Sequence, residues 1–332
     1  MLGSPAIASL VSSGLVANPA ASPAFLPTLA CLGTLLAASL GPILVAERAP
    51  GCDRVLLRRW VVWAAIAPLY PVAVLSGPLV AALFAAVLGI QAAREYAALT
   101  GLPPAYRRAL LLAAPLPALA ALLGFGAHAA LPTLLLLAGT LLPLTLADTR
   151  GGTRHLALAG FGWAYLPWLL GYLVLLQRDV PGGPEWLVAL GLAVALADVG
   201  AYLAGRRFGR RKLAPTISPN KTWAGALGSI VGAALGLGLA VAPVAWNHLS
   251  GSAIPGPLVG PAALGPMKLV VLALVVAAGA IWGDLVESLL KREHGVKDAG
   301  AWLPGFGGLL DRVDSLVLVL PLSYFVLRGG LA

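Results

Sequence analysis

Apolar runs of membrane-spanning length, separated by short loops that hold nearly all the basic residues, constrain this chain more than any single motif does. The runs lie at 24–46, 61–76, 78–93, 109–126, 129–147, 156–176, 186–204, 222–242, 267–287 and 315–328. About 20 apolar residues cross a bilayer as a helix, because a helix satisfies its own backbone polar groups where no water can. The expected fold is therefore an all-α polytopic transmembrane bundle of about nine or ten spans. Runs 61–76, 78–93 and 315–328 are short enough to be re-entrant or interfacial. With 59% hydrophobic and only 11% charged residues, a water-soluble globule is excluded, and the absence of alternating polarity argues against a barrel.

Lys and Arg number four in 47–60, three in 94–108, two in 148–155, six in 205–221 and four in 288–314. These five loops hold all the cations except Arg178, Lys268 and Arg328, and they alternate with nearly uncharged loops. The positive-inside rule puts all five in the cytoplasm and both termini outside. The expectation is an integral protein of the cell inner (plasma) membrane. The net charge of +9 then reflects topology, not nucleic-acid binding, since no soluble basic patch with interleaved aromatics exists. No basic region precedes the first apolar stretch, which argues against a cleaved signal peptide. Cys31 and Cys52 are too few for a disulfide framework, and His128, His155, His248 and His294 lack metal-ligand spacing and read as loop residues.

The chain is expected to divide into three segments: a small-residue leader over 1–23, N-terminal scaffold helices over 24–185, and a C-terminal transmembrane region over 186–332. Within the last, GALGSIVGAALGLG carries small residues at three- and four-residue spacing, the pattern of close helix packing. Packing within the chain is the preferred reading, and a homodimer contact is the other.

Polar chemistry is concentrated in the same region. The stretch from Ser288 to Asp314 places Lys291, Arg292, Lys297, Arg312, Asp298, Asp311, Asp314 and Glu293 around a PGFGG turn. Carboxylates hold hard divalent cations, Lys and Arg neutralise phosphate oxygens, and glycines such as Gly307 and Gly308 let backbone N–H groups approach an anion. Upstream, Asp284, Ser288 and Lys291 follow i, i+4, i+7 spacing and share one helix face; Glu287 is the ambiguous neighbour. Asp198 lies inside an apolar run on the same face as Tyr202, open to two readings: a tyrosine hydrogen bond, or a metal or substrate ligand. In GRRFGRRKLAPTISPNKTWAG, Ser218 reads as a helix cap before Pro219, with Lys221 beside exposed N–H groups. The earlier REYAALTGLP, Arg94 to Pro103, reads as a structural helix end at an interface.

These residues resemble the phosphatidate cytidylyltransferase family. Its C-terminal signature is matched by Ser288, Lys291, Arg292, Lys297, Asp298, Pro304, Gly305, Gly307, Gly308, Asp311, Arg312 and Asp314, and its second block by ADVGAYLAG and SPNKTWAG. Two departures matter: Phe306 stands where the family has histidine, and Ala224 where it has glutamate. The resemblance covers roughly residues 186–328 and implies transfer of a cytidylyl group from CTP to phosphatidic acid with Mg²⁺ as the metal. It makes Asp198, Asp284, Asp311 and Asp314 candidate metal ligands, and Lys221, Lys291, Arg292, Lys297 and Arg312 candidate phosphate partners. Ser218, Ser288 and Asp298 would orient the site. Two rivals stand beside it: a CTP-dependent enzyme acting on another lipid or polyprenyl phosphate, and a catalytically silent lipid-binding or transport paralogue.

Overall fold

The computed structural model describes residues 9, 12–22, 24–46, 55–250, 265–300, 302 and 307–329, and for 42, 45, 46, 55 and 242–250 the backbone alone. Thirteen α-helices follow one another among these residues: α1 (Phe25–Ala46), α2 (Val55–Ile66), α3 (Leu69–Leu75), α4 (Pro78–Leu99), α5 (Pro104–Ala113), α6 (Leu116–Leu123), α7 (Phe125–Thr145), α8 (Gly152–Trp163), α9 (Tyr172–Asp179), α10 (Gly183–Phe208), α11 (Trp223–Ser250), α12 (Pro266–Glu293) and α13 (Leu310–Gly329). A hairpin of β1 (Lys212–Ala214) and β2 (Ser218–Thr222) sits between α10 and α11. Among the described residues, seven stretches are long and apolar enough to cross a membrane: Pro78–Leu99, Pro104–Leu123, Phe125–Thr145, Gly152–Asp179, Gly183–Phe208, Trp223–Val241 and Pro266–Glu293. The protein is thus an all-α polytopic bundle. The expected run at 61–76 is divided between α2 and α3, with Pro68 at the break, where its missing N–H cannot continue a helix ladder.

Burial follows the contrast between helix faces. The span made by α8 and α9 is the most enclosed, with Leu173, Leu175 and Leu176 buried against Trp186, Leu187 and Leu190 of α10. By contrast α7 turns Leu134, Leu136, Leu137, Leu141 and Leu144 outward, which a membrane protein tolerates because its solvent is hydrocarbon. His128, expected in a loop, is fully buried within α7 and stacks on Trp168, because the helix begins at Phe125, three residues before it. His155 likewise lies inside α8.

Between α8 and α9 the backbone widens into a π turn over Ala164–Trp168, which contains Pro167. From it the Tyr165 hydroxyl donates to the Gly283 carbonyl of α12 at 3.1 Å, while at the far end of α9 Asp179 accepts from Tyr324 of α13 at 2.9 Å. The leader stretch is pinned where it is described: Leu79 N–H donates to Leu15 O, Ala17 N–H to Ser76 O, and Ser22 Oγ to Glu185.

The small-residue stripe packs within the chain. Added Cβ atoms at Gly228, Gly232 and Gly236 would run into Gly200, Leu196 and Ala193 of α10, whereas one at Gly238 meets open space. Gly232→Val is therefore expected to force α10 and α11 apart and to cost roughly 1–3 kcal/mol. Thermal unfolding in detergent checks this, with Gly238→Val as a control that moves the midpoint little.

Hydrogen bonds gather four of the basic loops at one end of the bundle. Tyr106 and His155 both bond Asp148, at 3.0 and 2.9 Å, and the imidazole holds that carboxyl below the usual carboxylate range. Glu95 reaches the start of α13, and Arg292 Nε donates to Ile217 O at 3.3 Å. The shared sidedness inferred from charge counting thus has a geometric counterpart.

Candidate active site

Two helices whose backbones touch carry the acids. A Cβ at Gly283 would collide with the Asp314 carbonyl, and one at Gly279 would lie 3.1 Å from Val319 N, so α12 and α13 approach at van der Waals distance. That contact brings Asp284 and Glu287 of α12 to Asp314 of α13, with one carboxylate oxygen from each within 4.8 Å of the others. Glu287, ambiguous in the sequence, is 1% exposed and belongs to this group. Three carboxylates so close repel one another unless cations intervene, and hard oxygen donors in this number suit a divalent ion such as Mg²⁺.

Lysines already hold the edges. Lys221, from β2, forms an ion pair with Asp284. Lys291 bridges Glu287 and Asp311, the latter at 2.9 Å. Ser288 Oγ donates to Asp284 Oδ1 at 3.2 Å, as the shared helix face requires. Asp311 itself stands outside the three-acid group: it accepts from Gly308 N–H at 2.8 Å and Ala299 N–H at 3.2 Å as well as from Lys291. Gly307 supplies the turn before it, with φ at +82°, where a side chain would be strained. Asp298 and Lys297 are exposed in the preceding loop, Asp298 beside Gly307.

The first turn of α13 owes its placement to a residue far away in sequence. Glu95 of α4, 6% exposed, accepts from Leu309 N–H at 3.0 Å and from Leu310 N–H at 2.8 Å. A carboxylate on the unsatisfied N–H groups of a helix start is favourable in both hydrogen bonding and dipole terms. REYAALTGLP does end a helix, yet its glutamate also sets the element that carries Asp311, Arg312 and Asp314.

Ser218 does not cap a helix. Preceding Pro219, it is sterically pushed toward extended backbone, and it pairs with Ala214 in the hairpin. The cap of α11 is Thr222, whose Oγ1 accepts from Gly225 N–H at 3.1 Å. The hairpin thereby swings Lys221 over α12.

Asp198 makes no hydrogen bond with Tyr202, whose hydroxyl accepts from Arg206 instead. It lies within electrostatic range of Asp284, Lys221 and Arg312. With Asp311, Arg312 and Asp314 it forms the polar end of a cavity of about 440 Å³. The rest of that cavity is apolar, lined by residues such as Leu32 and Leu35 of α1, Trp63 of α2, Leu88 of α4 and Leu192 of α10. Hydrocarbon thus leads directly to carboxylates and a guanidinium.

Residues 57–329 match the cytidylyltransferase family. The chain belongs to that family. It is 31% identical to the uncharacterized protein YnbB of Escherichia coli strain K12 over 264 residues, 77% of this chain and 82% of that protein. It is 43% identical to the phosphatidate cytidylyltransferase of Brucella suis over 152 residues, 46% of this chain and 50% of the relative. For that of Pseudomonas aeruginosa the figures are 38% over 143 residues, 41% and 47%. The chain spans about half the length of the Brucella relatives it matches. Of the departures singled out from the sequence, Ala224 is half-buried in the first turn of α11, and Phe306 lies outside the described residues.

Proposed function

We propose that the protein transfers the cytidylyl group of CTP to the phosphate of phosphatidic acid, forming CDP-diacylglycerol and pyrophosphate. The observation that carries this reading is the meeting of an acid-and-lysine cluster with an apolar cavity at Asp198, Arg312 and Asp314. A lipid phosphate oxygen attacks the α-phosphorus of CTP, the bond from that phosphorus to the β-phosphate bridge breaks, and pyrophosphate leaves with the electron pair. The nucleophile is ionised near neutral pH, so no strong base is needed; the task is to bring anions together and neutralise them.

Each part of the site has a role in that task. Asp284, Glu287 and Asp314 would hold Mg²⁺, which supplies charge neutralisation at the α-phosphate and the leaving group. Lys221, Lys291 and Arg312 stand at the rim of the same cluster and balance phosphate charge. Arg292 and Lys297 are exposed nearby and suit the water-facing phosphates of the nucleotide. Asp311 orients Lys291 and the glycine turn. The cavity lets acyl chains remain in an apolar setting, sparing about 0.8 kcal/mol for each methylene otherwise withdrawn into water. The basic loops gathered at that end favour a cytoplasmic opening, where CTP arrives from water.

The test is pyrophosphate release by detergent-purified protein given CTP, Mg²⁺ and phosphatidic acid. Release that requires both substrates is expected. A second reading, another lipid phosphate as acceptor, draws support from Ala224 at a glutamate position. Release with a polyprenyl phosphate and none with phosphatidic acid would favour it, and no release with any acceptor would sink both.

A further inference from the structure

A second cleft opens at the same end of the bundle, between α4, α5 and the loop after α12. Its volume is about 280 Å³, and Gln91, Arg94, Glu95, Arg107, Gly300 and Trp302 line it. We propose that this cleft receives the cytosine base of the nucleotide, an inference that rests on the CTP-dependent reading above.

Three kinds of group point to a base. Trp302, 56% exposed, stands at the edge of the cleft with its side chain largely uncovered. Aromatic faces of this kind stack nucleobases. Arg94 is exposed and Arg107 half-buried, and among the described residues neither carries an ion pair or hydrogen bond from its side chain. Gln91 commits its Nε2 to Glu95 Oε1 at 2.9 Å, which fixes its amide oxygen as the remaining acceptor.

The pairing edge of cytosine presents one amino donor beside two acceptors, and uracil has a carbonyl where cytosine has the amino group. One fixed acceptor with guanidinium donors at its side complements cytosine and leaves uracil with two acceptors facing each other. The cleft also adjoins the chemistry. Ala299, next to Gly300 in its wall, donates to Asp311, and Asp311 holds the lysine bonded to Glu287. A nucleotide with its base in the cleft has its phosphates directed toward the carboxylates across that shared wall.

The experiment measures CTP binding by equilibrium dialysis in wild type, Trp302→Ala, Arg107→Ala and Gln91→Leu, with UTP and inorganic tripolyphosphate as competitors. Steady-state KM for CTP and for phosphatidic acid is measured on the same proteins. Trp302→Ala is expected to weaken CTP roughly fivefold or more while leaving tripolyphosphate binding unchanged. Its KM for phosphatidic acid should stay within about twofold of wild type. Gln91→Leu should narrow the preference for CTP over UTP, whereas a merely structural role would weaken both nucleotides alike. Unchanged CTP affinity in both Trp302→Ala and Arg107→Ala overturns the proposal. So does an equal loss of tripolyphosphate or of phosphatidic acid, which would make the cleft a phosphate or lipid-headgroup site. Wild type that binds CTP without transferring it sinks the reaction but leaves the cleft testable by dialysis, and wild type that binds no CTP overturns both.

Discussion

Asp314→Asn is expected to lower CTP-dependent pyrophosphate release by roughly a hundred- to a thousandfold. The substitution is nearly isosteric, and its amide oxygen can still accept from Ser315 N–H, which Asp314 Oδ1 does at 2.7 Å. What it removes is one of three carboxylates whose ligand oxygens lie within 4.8 Å of one another. Stability separates this loss from misfolding. Without divalent metal the three acids repel, so the variant should unfold at or above the wild-type temperature. Added Mg²⁺ should then raise the midpoint of wild type and leave that of the variant nearly still. Thermal scans with and without Mg²⁺, beside the assay, decide it: activity close to wild type would remove Asp314 from the site.

Glu95→Ala is expected to cost roughly 2–5 kcal/mol of stability and to take activity with it, since two buried N–H donors lose their acceptors. Those donors, Leu309 and Leu310, open the helix on which Asp311, Arg312 and Asp314 sit. Glu95→Gln keeps one acceptor and turns an amide donor toward the other N–H, so it should fall between alanine and wild type. Unfolding temperatures of the three proteins in one detergent are the measurement. A midpoint for Glu95→Ala equal to that of wild type would show that the cap is dispensable.

The bundle itself was legible because hydrocarbon imposes a simple grammar: apolar length makes a span, and clustered cations mark one side. Asp284, Ser288 and Lys291 were legible for a related reason, since helical spacing fixes which side chains are neighbours. Glu287 shares that spacing, three residues after Asp284 and four before Lys291, yet spacing within one helix does not reveal its third partner. Its membership depends on how α12 meets α13, and only the contact at Gly283 decides which side of the helix faces Asp314. Glu95 was hidden more deeply, because a cap supplied from 215 residues away leaves no local spacing to read. Ser218 misled through its residue type: serine is a good cap, but the proline after it fixed an extended strand, and Thr222 took the role. Of the two readings open for Asp198, the tyrosine hydrogen bond is not formed, and the acid lines the cavity instead.

The π turn at Ala164–Trp168 bears on how such a chain can change length. Tyr165, within it, is tied to α12, and Asp179, beyond it, is tied to α13. Removing a single residue between them would rotate one attachment by about 100° relative to the other, the angle each residue takes up in a helix. Substitutions along this span can be absorbed by repacking, but insertions and deletions cannot. Sequence drift there should run through side-chain identity at constant spacing, while gaps in alignments of relatives fall in the loops.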